Sequence, residues 1–309
     1  MYRYFLKRIV LLIPVLLAVS FVIFTLMAMA PGDPGSAILG ASAPPEAIRE
    51  FNESVGFYDP FFVRYGNFLK DLLHLDFGDS YVSKTPVIDE IVKRLPTTIQ
   101  VATYSMLVAV LVGVPLGVLS AVKQYSLADS ISRVLAITLT AVPFFWLGLM
   151  LIYWFAFKLP IFPSFGVGSL KHYVLPCVSL GLTYAARELR MTRSCMLETL
   201  RMDYIRTTRA KGAKEKTVIW RHAFKNALLP VITMIGSHFG ALLGGAILTE
   251  SVFSIPGLGT YLISSIRGKD MPAVLGTAMV LAIMFCLVML VVDLLYAMID
   301  PRIKAKFAK

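Results

Sequence analysis

Apolar residues run in long blocks divided by short polar stretches, and most blocks match a bilayer in length. A spanning helix needs about 20 mostly apolar residues. Six blocks stand out: Ile9 to Ala30, Thr98 to Val122, Val134 to Phe157, Tyr173 to Ala186, Leu229 to Phe253 and Ala273 to Ile299. The fourth is short unless its helix continues past Arg187. The pattern predicts an all-α polytopic membrane protein with six transmembrane helices. Residues 1–30 make an N-terminus and first helix, 31–97 a small subdomain outside the membrane, 98–299 a five-helix core, and 300–309 a tail.

The first block imitates a secretory signal, with Arg3, Lys7 and Arg8 in front and Ala28-Met29-Ala30 behind. Its apolar stretch exceeds the 7–15 residues typical of a cleaved signal, so an uncleaved anchor is expected.

Charge adds direction. Segment 31–97 carries ten acidic residues against six Lys/Arg, whereas 187–225 carries eleven Lys/Arg against four acidic. Arg302, Lys304, Lys306 and Lys309 follow the last block. Basic residues in short loops mark the cytosolic side. Six spans put both termini and the 187–225 loop on that side and 31–97 outside.

Composition agrees. Of 309 residues, 57% are hydrophobic and 16% charged, against roughly 25% charged in soluble domains. The formal net charge of +11 first allows a nucleic-acid partner; its position on one side of the spans removes that option. Cys177, Cys195 and Cys286 are scattered, with no metal-ligand spacing, and read as small buried hydrophobes.

Pro115, Pro143, Pro176 and Pro230 lie in or beside spans two to five, with Gly113 and Gly117 flanking the first. Membrane bundles tolerate such residues because neighbours compensate. Gly236, Gly240 and Gly244 recur every fourth residue, with Gly245 adjoining, giving one smooth helix face. Helix packing is its simplest use; a mobile pathway face is the alternative.

Catalytic and energy-coupling signatures are missing. The sequence contains no P-loop, no HExxH, and only dispersed His74, His172, His222 and His238. Gly236-Ser237-His238 is a poor imitation of a nucleophile turn. Ionisable residues in spans are functional candidates by default. Asp293, Glu250 and Glu188 all read as lying near helix ends, which argues against a proton relay at mid-depth.

The informative segment is Asp203 to Pro230, DYIRTTRAKGAKEKTVIWRHAFKNALLP. Gly212 permits a turn between two short helices, and Arg206, Arg209, Lys211, Lys214 and Lys216 surround it. Charge alone fits an interfacial helix on anionic lipid or simple orientation. Tyr204, Ile205, Arg206, Thr207, Thr208, Arg209, Ala210, Lys211 and Gly212, continued by Arg221, His222 and Asn226 to Pro230, resemble a family motif. It is the "EAA" element of ABC importer permeases, in the version of the dipeptide/oligopeptide/nickel group. Arg206, Thr207 and Thr208 stand where the general motif has Glu-Ala-Ala, and Leu229-Pro230 comes later than its Leu-Pro.

Further matches run along the chain. Pro31-Gly32-Asp33-Pro34, Asp76-Phe77-Gly78-Asp79-Ser80, Leu248-Thr249-Glu250-Ser251-Val252-Phe253 with Pro256-Gly257-Leu258-Gly259, and Val292-Asp293-Leu294-Leu295-Tyr296 with Ile299-Asp300-Pro301-Arg302 resemble that group's signatures. The short first loop and basic N-terminus resemble its "B" subunit. The resemblance implies a type I ABC importer permease fold in a bacterial cytoplasmic membrane. It implies four kinds of partner: a second homologous permease, two ATPases, an extracytoplasmic binding protein, and the bilayer. The loop 187–228 becomes the ATPase-coupling element. ATP and Mg belong to the ATPases, and this chain needs no cofactor or metal and is no enzyme. Di- or oligopeptides are the expected cargo, with nickel or metal chelates and glutathione as alternatives. A stand-alone secondary transporter or channel is the more distant rival.

Overall fold

The computed structural model describes residues 2–40 and 42–299, with side chains described for 10–40, 42–244 and 246–294. Asp300-Pro301-Arg302 and the basic tail lie outside the described residues, as do the side chains of Arg3, Lys7, Arg8, Leu295 and Tyr296.

Helices dominate. α1 (Tyr2–Met29) is followed by the short α2 (Pro34–Leu39), α3 (Pro45–Ser54) and α4 (Phe61–Leu73). Then come α5 (Val87–Val122), α6 (Leu127–Ala141), α7 (Phe144–Leu151) with a π-helical continuation over Ile152–Lys158, and α8 (Leu170–Leu200). α9 (Asp203–Ala210) and α10 (Glu215–Thr217) lead through a π-helical stretch, Val218–Phe224, into α11 (Lys225–Val252). α12 (Leu258–Arg267) and α13 (Met271–Ile299) follow.

Among the described residues, four helical runs are long and apolar enough to cross a membrane: Val10–Met29, Val87–Val122, Glu215–Gly244 and Met271–Leu294. A fifth exists if α6 and α7 with its continuation, bent by 99°, count as one span. The third predicted span is therefore broken. Val142 is extended (φ −78, ψ 126), because the ring of Pro143 disfavours helical backbone in the residue before it.

The fourth predicted span changes most. Its helix does not stop at Ala186 but runs on to Leu200, so the start of the expected loop at 187 is helix. Glu188 consequently lies mid-helix rather than near an end, fully buried. The second and fifth helices also begin earlier than hydropathy alone predicts.

α5 and α8 form the tightest seam. A Cβ on Gly113 would lie 2.8 Å from the Glu188 Cβ, one on Gly117 2.6 Å from the Thr192 Cβ, and one on Gly181 2.6 Å from the Ser105 carbonyl. Three glycines from two helices thus set the approach that the small-residue rule for membrane helices describes. Val101, Ala102, Leu180, Ala185, Leu242 and Phe253 fill the core where α11 joins them. Gly236 and Gly240 pack against Val292 and Phe285 of α13, which favours the packing use of that stripe; a Cβ on Gly244 would meet nothing.

α2 to α4 gather beside α1 and the start of α13. Phe24 meets Phe61 and Tyr65 edge-on, each at 5.3 Å between ring centroids, and Met271 and Leu275 complete the cluster.

Candidate coupling site

α9 projects one buried residue and a polar face. Ile205 is fully buried among Met196 of α8, Val218 and Ala223 of the π stretch, and Ala227 and Val231 of α11. Tyr204 adds a second tie, its hydroxyl accepting from Asn226 Nδ2 at 2.9 Å. Asn226 Nδ2 also donates to the His222 carbonyl at 2.7 Å. The short helix is thereby pinned to the base of α8 and α11.

Its end is a Schellman turn. Gly212 has φ +79, its N–H bonds the Arg209 carbonyl at 2.9 Å, and the Ala213 N–H bonds the Thr208 carbonyl at 3.3 Å. That pair of bonds with a left-handed glycine between is the motif's definition. The segment is helix, turn and helix, with Gly212 in the turn between α9 and α10. Across the turn Arg209 grips Glu215 with two bonds, 3.1 Å from Nε and 2.7 Å from Nη2.

Other motif residues look outward or serve their own helix. Thr207 and Thr208 hydroxyls donate to the Asp203 and Tyr204 carbonyls at 3.1 and 2.7 Å. Arg206 lies 3.6 Å from Asp203. Ala210, Lys211, Gly212 and Arg221 are exposed and His222 half-buried. The result is an exposed cationic knob on a fixed mount. Solvent limits the Arg209–Glu215 pair itself to at most about 1 kcal/mol. Its use is to hold the turn's shape.

The remaining predicted residues do not join the turn at Gly212; Glu250, Gly257 and Gly259 meet one another, and Asp76 meets Gly78. Asp33 caps α2 and accepts from Ser36 N at 2.8 Å, Ser36 Oγ at 2.6 Å and Asn52 Nδ2 at 2.7 Å. These bonds, the Ser36 hydroxyl foremost, hold its carboxyl down to a pKa of about 2. Asp76 Oδ1 accepts from Gly78 N at 2.8 Å, and Gly78 has φ +71. Asp293 lies half-buried in α13.

Glu250 explains its own signature. Fully buried at the end of α11, it accepts from Thr98 Oγ1 at 2.7 Å, Gly259 N at 2.7 Å and Thr260 N at 3.2 Å. A side chain on Gly257 or Gly259 would collide with its carboxylate. Pro256 lies in the turn so formed. The Glu-to-glycine spacing thus encodes a carboxylate that caps α12 and ties it to α5.

Two networks escape motif reading. Asp129, fully buried at the start of α6, receives Ser120 Oγ of α5 at 2.6 Å and Arg193 of α8 at 2.8 and 3.1 Å. Glu188 of α8 meets His238 of α11 at 2.8 Å. The partners are 64 and 50 residues apart in sequence, and no local signal links them.

Residues 113–305 match the family described as binding-protein-dependent transport system inner membrane component. Residues 1–102 match the N-terminal component of such systems. The chain belongs to this family. It is therefore a multi-pass membrane permease of a binding-protein-dependent ABC import system. It is 41% identical to the dipeptide transport system permease protein DppB of Alkalihalophilus pseudofirmus, over 98% of this chain and 100% of that protein. It is 39% identical to the glutathione transport system permease protein GsiC of Salmonella choleraesuis, over 99% of this chain and 100% of that one. Its fold matches a chain of the inward-facing MetNI methionine ABC transporter. The TM-score is 0.60 at 19% identity, covering 69% of this chain and 97% of that one.

Proposed function

We propose that this permease subunit forms half of an ATP-driven import pathway for di- and oligopeptides. The observation that carries the mechanism is the exposed cationic turn at Gly212, mounted on Ile205 and Tyr204 and continuous with α11. α8 supplies the sixth span: its 31 residues cover roughly 46 Å at 1.5 Å each, and apart from Lys171 at its start its charges fall in the half beyond Ala186. Both termini then face the cytosol, and α2 to α4 face outward as the subdomain that meets the binding protein. A second permease completes the pathway. Two ATPases dock beneath, and they hold the ATP and Mg; this chain requires no cofactor.

The peptide cargo is supported by the full-length likeness to a dipeptide permease. The glutathione permease relatives support a second reading, glutathione import, and glutathione is itself a modified tripeptide.

The test is reconstitution of the four-part assembly in vesicles. Gly212→Pro forces a negative φ where the turn has +79 and removes the N–H that bonds the Arg209 carbonyl. Arg209→Glu sets a like charge against Glu215. Both variants insert and assemble but lose most ATP-dependent dipeptide uptake. Normal uptake by both would refute the coupling role. ATP-dependent uptake of labelled glutathione, with no uptake of labelled dipeptide, would favour the second reading.

A further inference from the structure

One cavity lies outside the coupling scheme. It encloses about 300 Å³ among α1, α4, the turn that follows α3 and the start of α13. That is the size of a small-molecule site, and such sites join an apolar lining to a few placed polar groups. Phe24, Phe68 and Phe77 supply apolar surface. Arg64 and Asp71 lie two turns apart on the face of α4 that carries Phe68. Asp59, before α4, and Asp76, after it, bring two more carboxylates to the lining.

Opposite charges in one cavity ordinarily neutralise each other. Here they do not: none of the three carboxylates forms an ion pair with Arg64 among the described residues. Other groups hold the guanidinium. Nη1 donates to the Phe57 carbonyl and Nη2 to Met271 Sδ, both at 3.1 Å. The Phe24 and Phe57 ring centroids lie 5.9 and 5.4 Å from it. A guanidinium carries five N–H donors, so most remain for a further acceptor. Asp59 leans over Gly56, where a Cβ would lie 2.9 Å from its Oδ2. Asp71 is exposed, and its carboxylate accepts no hydrogen bond from a described residue.

The cavity therefore offers a fixed cation and separate anions. A ligand of one charge satisfies only half of this arrangement, whereas a zwitterion satisfies both halves. The helix sets its length. From Arg64 to Asp71 the rise along α4 is about 10 Å. An extended dipeptide is roughly 7 Å long, and a charge-assisted hydrogen bond of about 2.8 Å at each end spans the rest. A single amino acid falls short.

We propose that this cavity binds a short zwitterionic peptide, its carboxylate on Arg64, its ammonium on Asp71 and its side chains on the phenylalanine surface. Arginine presents the paired N–H groups that match a carboxylate. Asp59 and Asp76 make the lining net negative, so basic dipeptides bind better than acidic ones. Calling that peptide the cargo rests on the function proposed above; the charge pattern does not.

The test is calorimetric titration of the purified full chain in detergent, without a binding protein, using Ala-Ala, N-acetyl-Ala-Ala, Ala-Ala amide and alanine. Ala-Ala should bind saturably. Either cap should weaken binding about tenfold or more, as loss of a charged hydrogen bond does, and alanine should bind no better than the capped forms. D71N should weaken Ala-Ala to the same degree and leave N-acetyl-Ala-Ala unchanged. R64Q should weaken Ala-Ala and leave the amide unchanged. If R64Q fails to fold, D71N, at an exposed position, decides. No saturable binding of Ala-Ala would overturn the site, as would wild-type affinity in D71N or an amide bound as tightly as the free peptide. Import of Ala-Ala by the assembled transporter without binding here would refute the site and leave the function standing. Binding here without import would support the site and refute the cargo.

Discussion

Asp33 shows how one side chain can organise a junction. It closes the first turn of α2 and, through Asn52, holds α2 against α3, where Gly35 N–H also bonds Asn52 Oδ1 at 2.8 Å. A Cβ on Gly35 would lie 2.8 Å from the Ile48 carbonyl, so the fit leaves no slack. The carboxyl pKa falls from the ordinary 3.8 to about 2. A lowered acid stabilises the fold above its unfolded value and loses that contribution as pH drops through its folded value. Hydrogen exchange at the Gly35 and Ser36 amides should therefore accelerate as pH falls from about 4 to 2, after correction for intrinsic rates. Asp33→Asn should exchange fast throughout and show no such step. The motif is visible in the sequence. Its use is not, because Asn52 lies nineteen residues away and is one of several polar residues in α3. Glu250 repeats the lesson: its glycine partners are legible as a signature, but Thr98 is not.

At the scale of helices, hydropathy locates the apolar blocks and misses two consequences of packing. Pro143 reads as tolerable within a span, yet its effect on Val142 prevails and breaks the helix. Arg187, Glu188, Arg190 and Arg193 read as the start of a loop. The chain stays helical there because α5 covers one face and Asp129 receives Arg193. The α5–α8 seam is similarly hidden in sequence, since only the fold sets Gly113 and Gly117 against Glu188 and Thr192 and Gly181 against Ser105. It yields a sharp expectation. Gly181→Val places methyl groups against the Ser105 carbonyl and Val108, and overpacking of this kind costs about 1–3 kcal/mol. The thermal midpoint of the purified chain should drop measurably. Gly244→Ala, where a Cβ meets nothing, should leave it unchanged.

For the molecule as a whole, the two ends of the bundle are built differently. At one end the cationic turn stands on α8 and α11. At the other, α2 to α4 are fastened to the core. Ser80 Oγ donates to the buried Asp270 at 2.5 Å, Tyr81 N–H donates to the same carboxylate at 3.1 Å, and Lys269 reaches the Pro31 carbonyl. Replacing residues 31–97 with the equivalent stretch of a permease for unrelated cargo should leave basal ATPase activity in the complex. It should remove stimulation by the binding protein. Undiminished stimulation would separate this segment from cargo delivery. Charge bias along the sequence singles out the end that carries 187–225, where eleven Lys/Arg gather. It does not reveal that the opposite end is tied to the start of α13, since that depends on long-range bonds to Asp270.

The continuity of helix from Glu215 to Val252 has a mechanical meaning. At about 1.5 Å per residue this is a strut of roughly 55 Å, with the Gly212 turn at its foot and the Glu250–Thr98 knot at its head. Pivoted at its foot, such a strut magnifies motion: a tilt of about 5° displaces the far end by roughly 5 Å. A small tilt at the Gly212 end would thus arrive at the Glu250 end as a movement wide enough to separate a pair of touching side chains. The stiff head, where one carboxylate of α11 binds both α5 and α12, would carry α12 and the adjoining end of α5 along as a single block.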